Sequence, residues 1–274
     1  MKKDIISVII RVYDRMEDLA VCVESIRSYW NCYNYFLIVV GNGKKNGFTI
    51  PEQVKNSADR IIELEENLGH IDGNAQLLLA GIDYIPTDSR YTIILEADTW
   101  IFSDEWIDRY VKMLDNSDAV WASSEWVKKY WSLGLDFSII KTEFLKNNTN
   151  IFRFGSNPEA YVCNYLRENE YSFIYIKENM PVHIPKSMRF MQTNFGGRFR
   201  SFPCAKMVTH HIEDLENGMN SKKLLANHCI GKKVFPLGNS LLIRIEFFRL
   251  VLLRLMALIA PQSSWIRKKK TVAA

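Results

Sequence analysis

The sequence is poor in cysteine and lacks any spacing that would put its cysteines to use. There are five in 274 residues, at Cys22, Cys32, Cys163, Cys204 and Cys229, an odd number with no Cys-x-x-Cys pair. That argues against a disulfide framework and against a cysteine-built zinc cage, and it fits reduced thiols in a cytosolic compartment. Met1 to Asp4 runs straight into an apolar strand-like segment, with no long apolar stretch and small-residue cleavage site, so no secretory signal is expected. There is no internal repeat and no low-complexity segment. With hydrophobic residues at 47% and charged residues at 24%, a folded chain is expected rather than a disordered one.

The length suits one catalytic domain with an appendage, or two small domains. The net charge of +4 is unevenly spread. From Lys222 onward come Lys222, Lys223, Lys232, Lys233, Arg244, Arg249, Arg254 and Arg267 to Lys270, opposed only by Glu246. A basic end on a balanced body points to an anionic surface as partner. Within that end, residues 241–259 (LLIRIEFFRLVLLRLMALI) are strongly apolar but interrupted by Arg244, Glu246, Arg249 and Arg254. A spanning helix takes about 20 predominantly apolar residues, and arginine in mid-bilayer is costly. The segment therefore reads as a helix lying in the membrane interface, its arginines snorkelling and Trp265 with Arg267 to Lys270 near head groups. The alternative is a terminal helix docked on the protein. The apolar breadth favours lipid over nucleic acid.

The first half alternates strand and helix at the length of βαβ units. Residues 5–12 (IISVIIRV), 36–40 (FLIVV), 60–64 (RIIEL) and 91–95 (YTIIL) are continuous apolar runs, as expected for strands buried on both faces. Residues 17–30, 74–84 and 104–114 carry apolar residues at helical spacing, the last with Ser103 as a possible cap. The fold class is thus α/β, an open, mostly parallel sheet flanked by helices. In such sheets ligands sit beyond the carboxyl ends of the strands, here Tyr13-Asp14, Gly41-Asn42-Gly43 and Glu96-Ala97-Asp98. The second half is less regular. Strands are expected at 137–140 and 171–176, a helix at 159–167 and a long loop at 181–204.

Three blocks at those strand ends resemble the inverting glycosyltransferases of family 2, which have the GT-A, Rossmann-like fold. Ile6 to Arg15 looks like the family's first strand and nucleotide loop. Asn67-x-Gly69-x-x-x-Gly73-Asn74, followed by Ala80, is similar to its Asn-x-Gly block. Residues 93–98 (IILEAD), followed by an aromatic, acid-rich helix, look like its Asp-x-Asp segment. The resemblance covers residues 5–115 well and runs on to about 185 more loosely. It implies a GT-A-like domain over 1–236, with a nucleotide-sugar half at 1–115 and an acceptor half at 116–236, followed by a membrane-associating helix and basic tail at 237–274.

The resemblance also implies roles. Arg11, Tyr13, Asp14, Asn42, Asn67, Gly69, Gly73, Asn74 and Glu96 would line the site for a UDP- or GDP-linked sugar donor. Asp98 would hold Mn²⁺ or Mg²⁺ directly, and Glu96 would contact the donor ribose or reach the metal through water. Two acids one residue apart suit a hard cation that takes its other oxygens from a diphosphate. Taken alone, Glu96-Ala97-Asp98 also reads as a solvated turn with an acidic helix start. Inverting transfer needs a base for the acceptor hydroxyl, and the family's position falls on Pro158-Glu159, making Glu159 the candidate, with Asp136 and Glu143 as rivals. Glu159 also reads as an ordinary first-turn acid behind proline. His183 is the candidate third metal ligand, with His210 or His211 as alternatives. Trp121, Trp126, Tyr130 and Trp131 fall where a saccharide or lipid-linked acceptor would bind, or pack as core.

The sequence departs from the family in three places. Glu96 replaces the first Asp, Gly41-Asn42 replaces an acidic pair that reads the base, and Arg11 replaces a proline. Arg11 either reaches the diphosphate or merely salt-bridges a surface acid. The function these residues imply is inverting sugar transfer in surface polysaccharide or glycolipid synthesis, with the chain peripheral on the inner membrane face. The alternatives are a non-catalytic nucleotide-binding scaffold at the membrane and a nucleotidyltransferase. The latter would need a glycine-rich basic phosphate loop that residues 11–15 do not form.

Overall fold

The apolar run at the start of the chain forms β1 (Ile5–Val12), seven of whose eight residues are buried. In this computed structural model the residues described are 4–125, 131–176, 200–202, 205–209 and 218–232, together with seven helical residues between 241 and 255. They belong to two compact units: 4–97 with 104–176, and 98–103 with the described residues from 200 onward.

The first unit is built on a seven-stranded sheet. β1 lies between β2 (Asn34–Gly41) and β4 (Ser89–Glu96) and is parallel to both, and β2 is parallel to β3 (Arg60–Glu63). Helices α1 (Met16–Tyr29), α2 (Glu52–Lys55) and α3 (His70–Ile82) make the crossovers that parallel strands require. Beyond β4 the sheet changes sense. β7 (Phe137–Lys141) is antiparallel to β4, β6 (Trp121–Ser123) is antiparallel to β7, and β8 (Phe173–Tyr175) is parallel to β6. The order is β3-β2-β1-β4-β7-β6-β8. The inner strands can be continuously apolar because helices cover them: α1 and α3 pack on β1, α4 (Glu105–Asp115) on β7, and α5 (Thr142–Asn147) on β4 and β7. Gly81 of α3 faces the sheet so closely that a Cβ there would stand 2.6 Å from Ile9 Cγ2 and 3.2 Å from Val40 Cγ2. The last helix of this unit is α6 (Pro158–Glu168).

Two boundaries differ from expectation. Helix α3 begins at His70, four residues before Asn74. Gly69 turns the chain with φ +92°, and Asn67 Oδ1 accepts from Gly69 N at 2.7 Å, so the helix starts inside the stretch that reads as a loop. Ser103 does not cap α4. The flanking residue is Asp104, whose side chain makes no capping bond. Its Oδ2 instead accepts from Asn31 N (2.8 Å), Cys32 N (2.7 Å) and Tyr35 Oη (2.8 Å), tying the end of α1 to the start of α4. Burial, with Asp104 beside it, pushes the Tyr35 phenol far above its usual range, so it stays a donor.

The second unit holds a three-stranded antiparallel sheet, β5 (Trp100–Ile101), β10 (Met207–Thr209) and β9 (Arg200–Phe202) in that order, with α7 (Gly218–Cys229) against β10 and β9. Strand β9 lies in the stretch expected as a loop. Leu241, Arg244, Ile245, Phe248, Val251, Leu252 and Leu255 are helical. Among the described residues, no helix is long and apolar enough to cross a membrane.

Candidate functional site

The parallel strands end level with one another, because Arg11 is in register with Val40 and Glu96, and Val12 with Gly41. That edge gathers Arg11, Asn42, Asn67, Gly69, Gly73, Asn74 and Glu96, all singled out in the sequence. Arg11 is 3% exposed, and its guanidinium donates to Asn74 Oδ1 (2.5 Å), to Glu96 Oε1 (3.2 Å) and to the Leu135 carbonyl. Asn42, also buried, donates through Nδ2 to the Gly73 carbonyl and to Gln76 Oε1, both at 3.2 Å. Gly73 has no room for a side chain: a Cβ would stand 2.4 Å from Asn67 Oδ1 and 3.2 Å from Asn42 Nδ2. Asn67, Gly69, Gly73 and Asn74 are thus one turn and helix start fitted against Arg11 and Asn42.

Of the two readings of Arg11, the geometry realises the ion pair. The guanidinium meets Glu96, whose side chain is 28% exposed, against 2% for that of Arg11. Removing one partner of a buried pair costs about 3–5 kcal/mol, and Glu96's partial exposure puts this case near 3. At roughly 2–4 °C per kcal/mol, Arg11→Ala is expected to lower Tm by about 6–12 °C in scanning calorimetry. A shift below about 2 °C would contradict this account of the strand ends.

Tyr13 and Asp14 follow β1. Tyr13 is half-buried, edge-on to Phe48 (5.4 Å between centroids), with its hydroxyl accepting from Asn46 Nδ2 at 2.7 Å. Asp14 is exposed. Gly43 lets this loop close, since a Cβ there would lie 2.3 Å from the Tyr13 carbonyl. At Asn42, Oδ1 has no hydrogen-bond partner among the described residues. It is an amide acceptor at the end of β2, in the place the resemblance gives to reading a base.

A segment of which the sequence pointed only to Trp131 and Asp136 links this edge to Glu159. In residues 131–136, the Leu135 carbonyl accepts from Arg11, the Asp136 carbonyl accepts from Glu96 N (3.0 Å), and Leu133 N donates to the Glu159 carbonyl (3.1 Å). Gly134 makes the turn possible, because a Cβ would collide with Ser124 Oγ (2.6 Å) and Asp136 Oδ1 (2.7 Å). Glu159 is half-buried in the first turn of α6, behind Pro158, with Asn157 Oδ1 capping Ala160 N at 3.1 Å. The available signal was Gly134 just before an apolar run, too common a pattern to single out. Buried around it are Ser123, Ser124, Glu125, Ser132, Asp136 and Ser138.

The expected acceptor aromatics divide. Trp121 is wholly buried in β6 against Phe152, so it is core and cannot stack on a sugar. Trp131 is half-buried, stacked on Tyr175 (6.3 Å, 11°), with the Arg167 guanidinium over its ring at 5.2 Å. Burial, with Cys163 and Glu125 adding to it, pushes the Tyr175 phenol well up, so it remains a donor to the Ser132 carbonyl. Trp126, Tyr130, His183, His210 and His211 lie outside the described residues, as does the tail beyond 255.

Asp98 belongs to the second unit and is 5% exposed. Its neighbours are fixed. Trp100 and Ile101 pair with β10, Thr99 Oγ1 meets Thr209 Oγ1 at 2.7 Å, and Phe102 N donates to the Lys206 carbonyl at 2.9 Å. Lys222, expected as part of a basic surface, is fully buried, and its ammonium donates to the Asp98 carbonyl at 2.6 Å. Among the described residues, no three or more His, Cys, Asp or Glu side chains gather as a metal cage. A buried aspartate carboxylate suits Mg²⁺ or Mn²⁺, which take one or two carboxylates and complete their shell from phosphate and water.

A family model described as glycosyl transferase family 2 matches residues 7–203. Among solved structures, the chain is similar to the mannosyltransferase PcManGT from Pyrobaculum calidifontis in complex with GDP-Man and Mn²⁺. Identity is 13% over 96% of this chain and 78% of that one, with a TM-score of 0.51. Weaker likenesses are to the glycosyltransferase GlyE of Streptococcus pneumoniae (9% identity, 65% and 47% coverage, TM-score 0.44) and to S. aureus TarS (16%, 58% and 52%, 0.41). At 13% identity the likeness to the mannosyltransferase shows the fold alone. No curated protein matches the chain by sequence.

Proposed function

Because the chain belongs to glycosyl transferase family 2, a family that transfers sugars from nucleotide-sugar donors, we propose that it is an inverting, metal-dependent transferase acting on a saccharide or lipid-linked acceptor at a membrane surface. The observation that carries this reading is the Arg11–Glu96–Asn74 cluster with Asn42 and Gly73, which joins three separate sequence blocks at the carboxyl edge of the parallel strands.

In this reading Asp98, with Glu96 two residues before it, holds Mn²⁺ or Mg²⁺, with His183 as a further ligand. A divalent cation there supplies Lewis-acid stabilisation of the departing diphosphate. Asn42 Oδ1 accepts from an N–H of the nucleotide base. Asn67, Gly69, Gly73 and Asn74 shape the donor pocket through the turn that starts α3, and Tyr13 and Asp14 close it after β1. Glu159 takes the proton of the acceptor hydroxyl. The freed oxygen bonds to the anomeric carbon from the face opposite the leaving group. The bond from that carbon to the diphosphate oxygen breaks, and the configuration inverts. The test is nucleoside-diphosphate release from a panel of UDP- and GDP-linked sugars, with Mn²⁺, with Mg²⁺ and with chelator. Metal-dependent release from at least one donor is expected. Release unaffected by chelation would remove the metal from the reading.

The membrane part rests on the tail. Leu241, Phe248 and Leu255 recur every seven residues at 71%, 64% and 53% exposure. Ile245, Val251 and Leu252 are half-exposed between them, and Arg244 is exposed. This is one apolar helical stripe, followed in the sequence by Arg267 to Lys270. Such a stripe with a basic flank suits an anionic bilayer surface, such as the inner face of a membrane. Each large apolar side chain that leaves water contributes about 1.5–3 kcal/mol. Phe248→Ser is therefore expected to weaken co-sedimentation with vesicles containing anionic lipid by about 10–100-fold. Equal binding of the variant, or no preference for anionic over neutral vesicles, would sink the membrane assignment.

A further inference from the structure

A fully buried lysine in a second, smaller unit needs a reason. Removing an ammonium from water costs several kcal/mol, and proteins keep one inside where something depends on it. Lys222, on α7, is 0% exposed. Its Nζ donates to the main-chain carbonyl of Asp98 at 2.6 Å and lies 4.3 Å from the centroid of the Trp100 ring, in cation–π contact. Both partners lie on the short strip 98–103.

Other described contacts of that strip fall after Asp98. Ladder pairing with β10 begins at Trp100, the hydroxyl contact to Thr209 is at Thr99, and the bond to the Lys206 carbonyl is at Phe102. Asp98 precedes all of these, just after β4 has ended at Glu96. The Lys222 ammonium bonds the Asp98 carbonyl itself. A bond there fixes the peptide plane joining Asp98 to Thr99, and with it the direction in which the Asp98 side chain leaves the backbone. The same ammonium contacts the Trp100 ring, so a single side chain of α7 anchors both the carboxylate-bearing residue and the strand behind it.

We propose that Lys222 is a positioning residue for Asp98, holding its carboxylate in the orientation that binds a divalent cation with the donor diphosphate. This rests on the reading of Asp98 as the metal-holding acid. Metal sites lose affinity steeply when the groups that orient a ligand are removed, typically 10–100-fold. Nucleotide binding without metal should feel little of this.

The experiment uses the full chain and its Lys222→Met, Lys222→Gln and Asp98→Ala variants. Free Mn²⁺ is followed by electron paramagnetic resonance during titration in the presence of GDP or UDP, beside nucleotide titrations without metal. Methionine keeps the length and apolar stem, and glutamine keeps a shorter uncharged donor. Lys222→Met is expected to weaken Mn²⁺ binding about 10–100-fold, Lys222→Gln about threefold or more but less than Met, and neither to change metal-free nucleotide affinity beyond about twofold. If Lys222→Met does not fold, as judged by circular dichroism, Lys222→Gln carries the same readout. A folded variant that titrates Mn²⁺ like the parent overturns the proposal. So does an equal loss of metal-free nucleotide affinity, which would mark Lys222 as a packing residue. If the parent itself binds no Mn²⁺ with either nucleotide and Asp98→Ala matches it, the donor-site reading fails, and the proposal falls with it in a pattern distinct from the other two.

Discussion

Asp98→Ala is expected to lower turnover of the preferred nucleotide sugar by about a thousandfold. The residue is 5% exposed and sits on a strip whose neighbours are pinned to β10. In the proposed reading its carboxylate would hold a cation on the departing diphosphate, a form of charge stabilisation worth several kcal/mol. At 1.36 kcal/mol per tenfold, about 4 kcal/mol gives the thousandfold figure. Folding should be little affected. The described bonds of this strip include those through the Asp98 carbonyl, the Thr99 hydroxyl, the Phe102 amide and the β10 ladder, none of which alanine at 98 removes. Steady-state rates at saturating donor, with melting curves beside them, check both parts. A folded Asp98→Ala within tenfold of the parent would mean that the diphosphate charge is met elsewhere.

Glu159→Gln is expected to cost 10²–10⁴ in turnover, the range typical of a removed general base, while leaving donor binding intact. Glutamine keeps the shape and cannot take the acceptor proton. The bond that ties α6 to the 131–136 segment runs through the Glu159 carbonyl, so it survives the substitution. Asp136→Asn is the comparison. Asp136 is buried, and its main chain bonds Glu96 N, close to the strand ends, while Glu159 reaches them through the segment that begins at Leu133. Full loss in Asp136→Asn with activity kept in Glu159→Gln would move the base to Asp136.

Much of the first unit was legible because its inner strands are buried on both faces and must be continuously apolar. β1, β2, β3 and β4 all lie where such runs stand in the sequence. Helix α3 shows what periodicity misses. Gly69 and Gly73 read as loop, yet Gly73 is helical and small because Asn67 and Asn42 occupy the space of its side chain. Strand β6 is three residues long and carries no period, and its antiparallel pairing with β7 comes from the sheet rather than from local sequence. At the site, Arg11, Asn42, Gly73, Asn74 and Glu96 stand in separate stretches of the sequence, and hydrogen bonds join them. The choice between a diphosphate contact and an ion pair for Arg11 was not readable, because it depends on Glu96 being in register across β1 and β4. Lys222 was misread for a related reason. In a Lys-Lys pair on an otherwise basic stretch nothing distinguishes the buried lysine, and its burial is set by Trp100 and Asp98, more than a hundred residues earlier.

The most direct test of the central claim is calorimetric titration of UDP and GDP into the protein, with and without Mn²⁺, beside Asp98→Ala. The account predicts binding of one nucleotide that strengthens with Mn²⁺ and loses that strengthening in the variant. Absence of binding by either nucleotide to folded protein, or an Mn²⁺ effect that persists in Asp98→Ala, would contradict it.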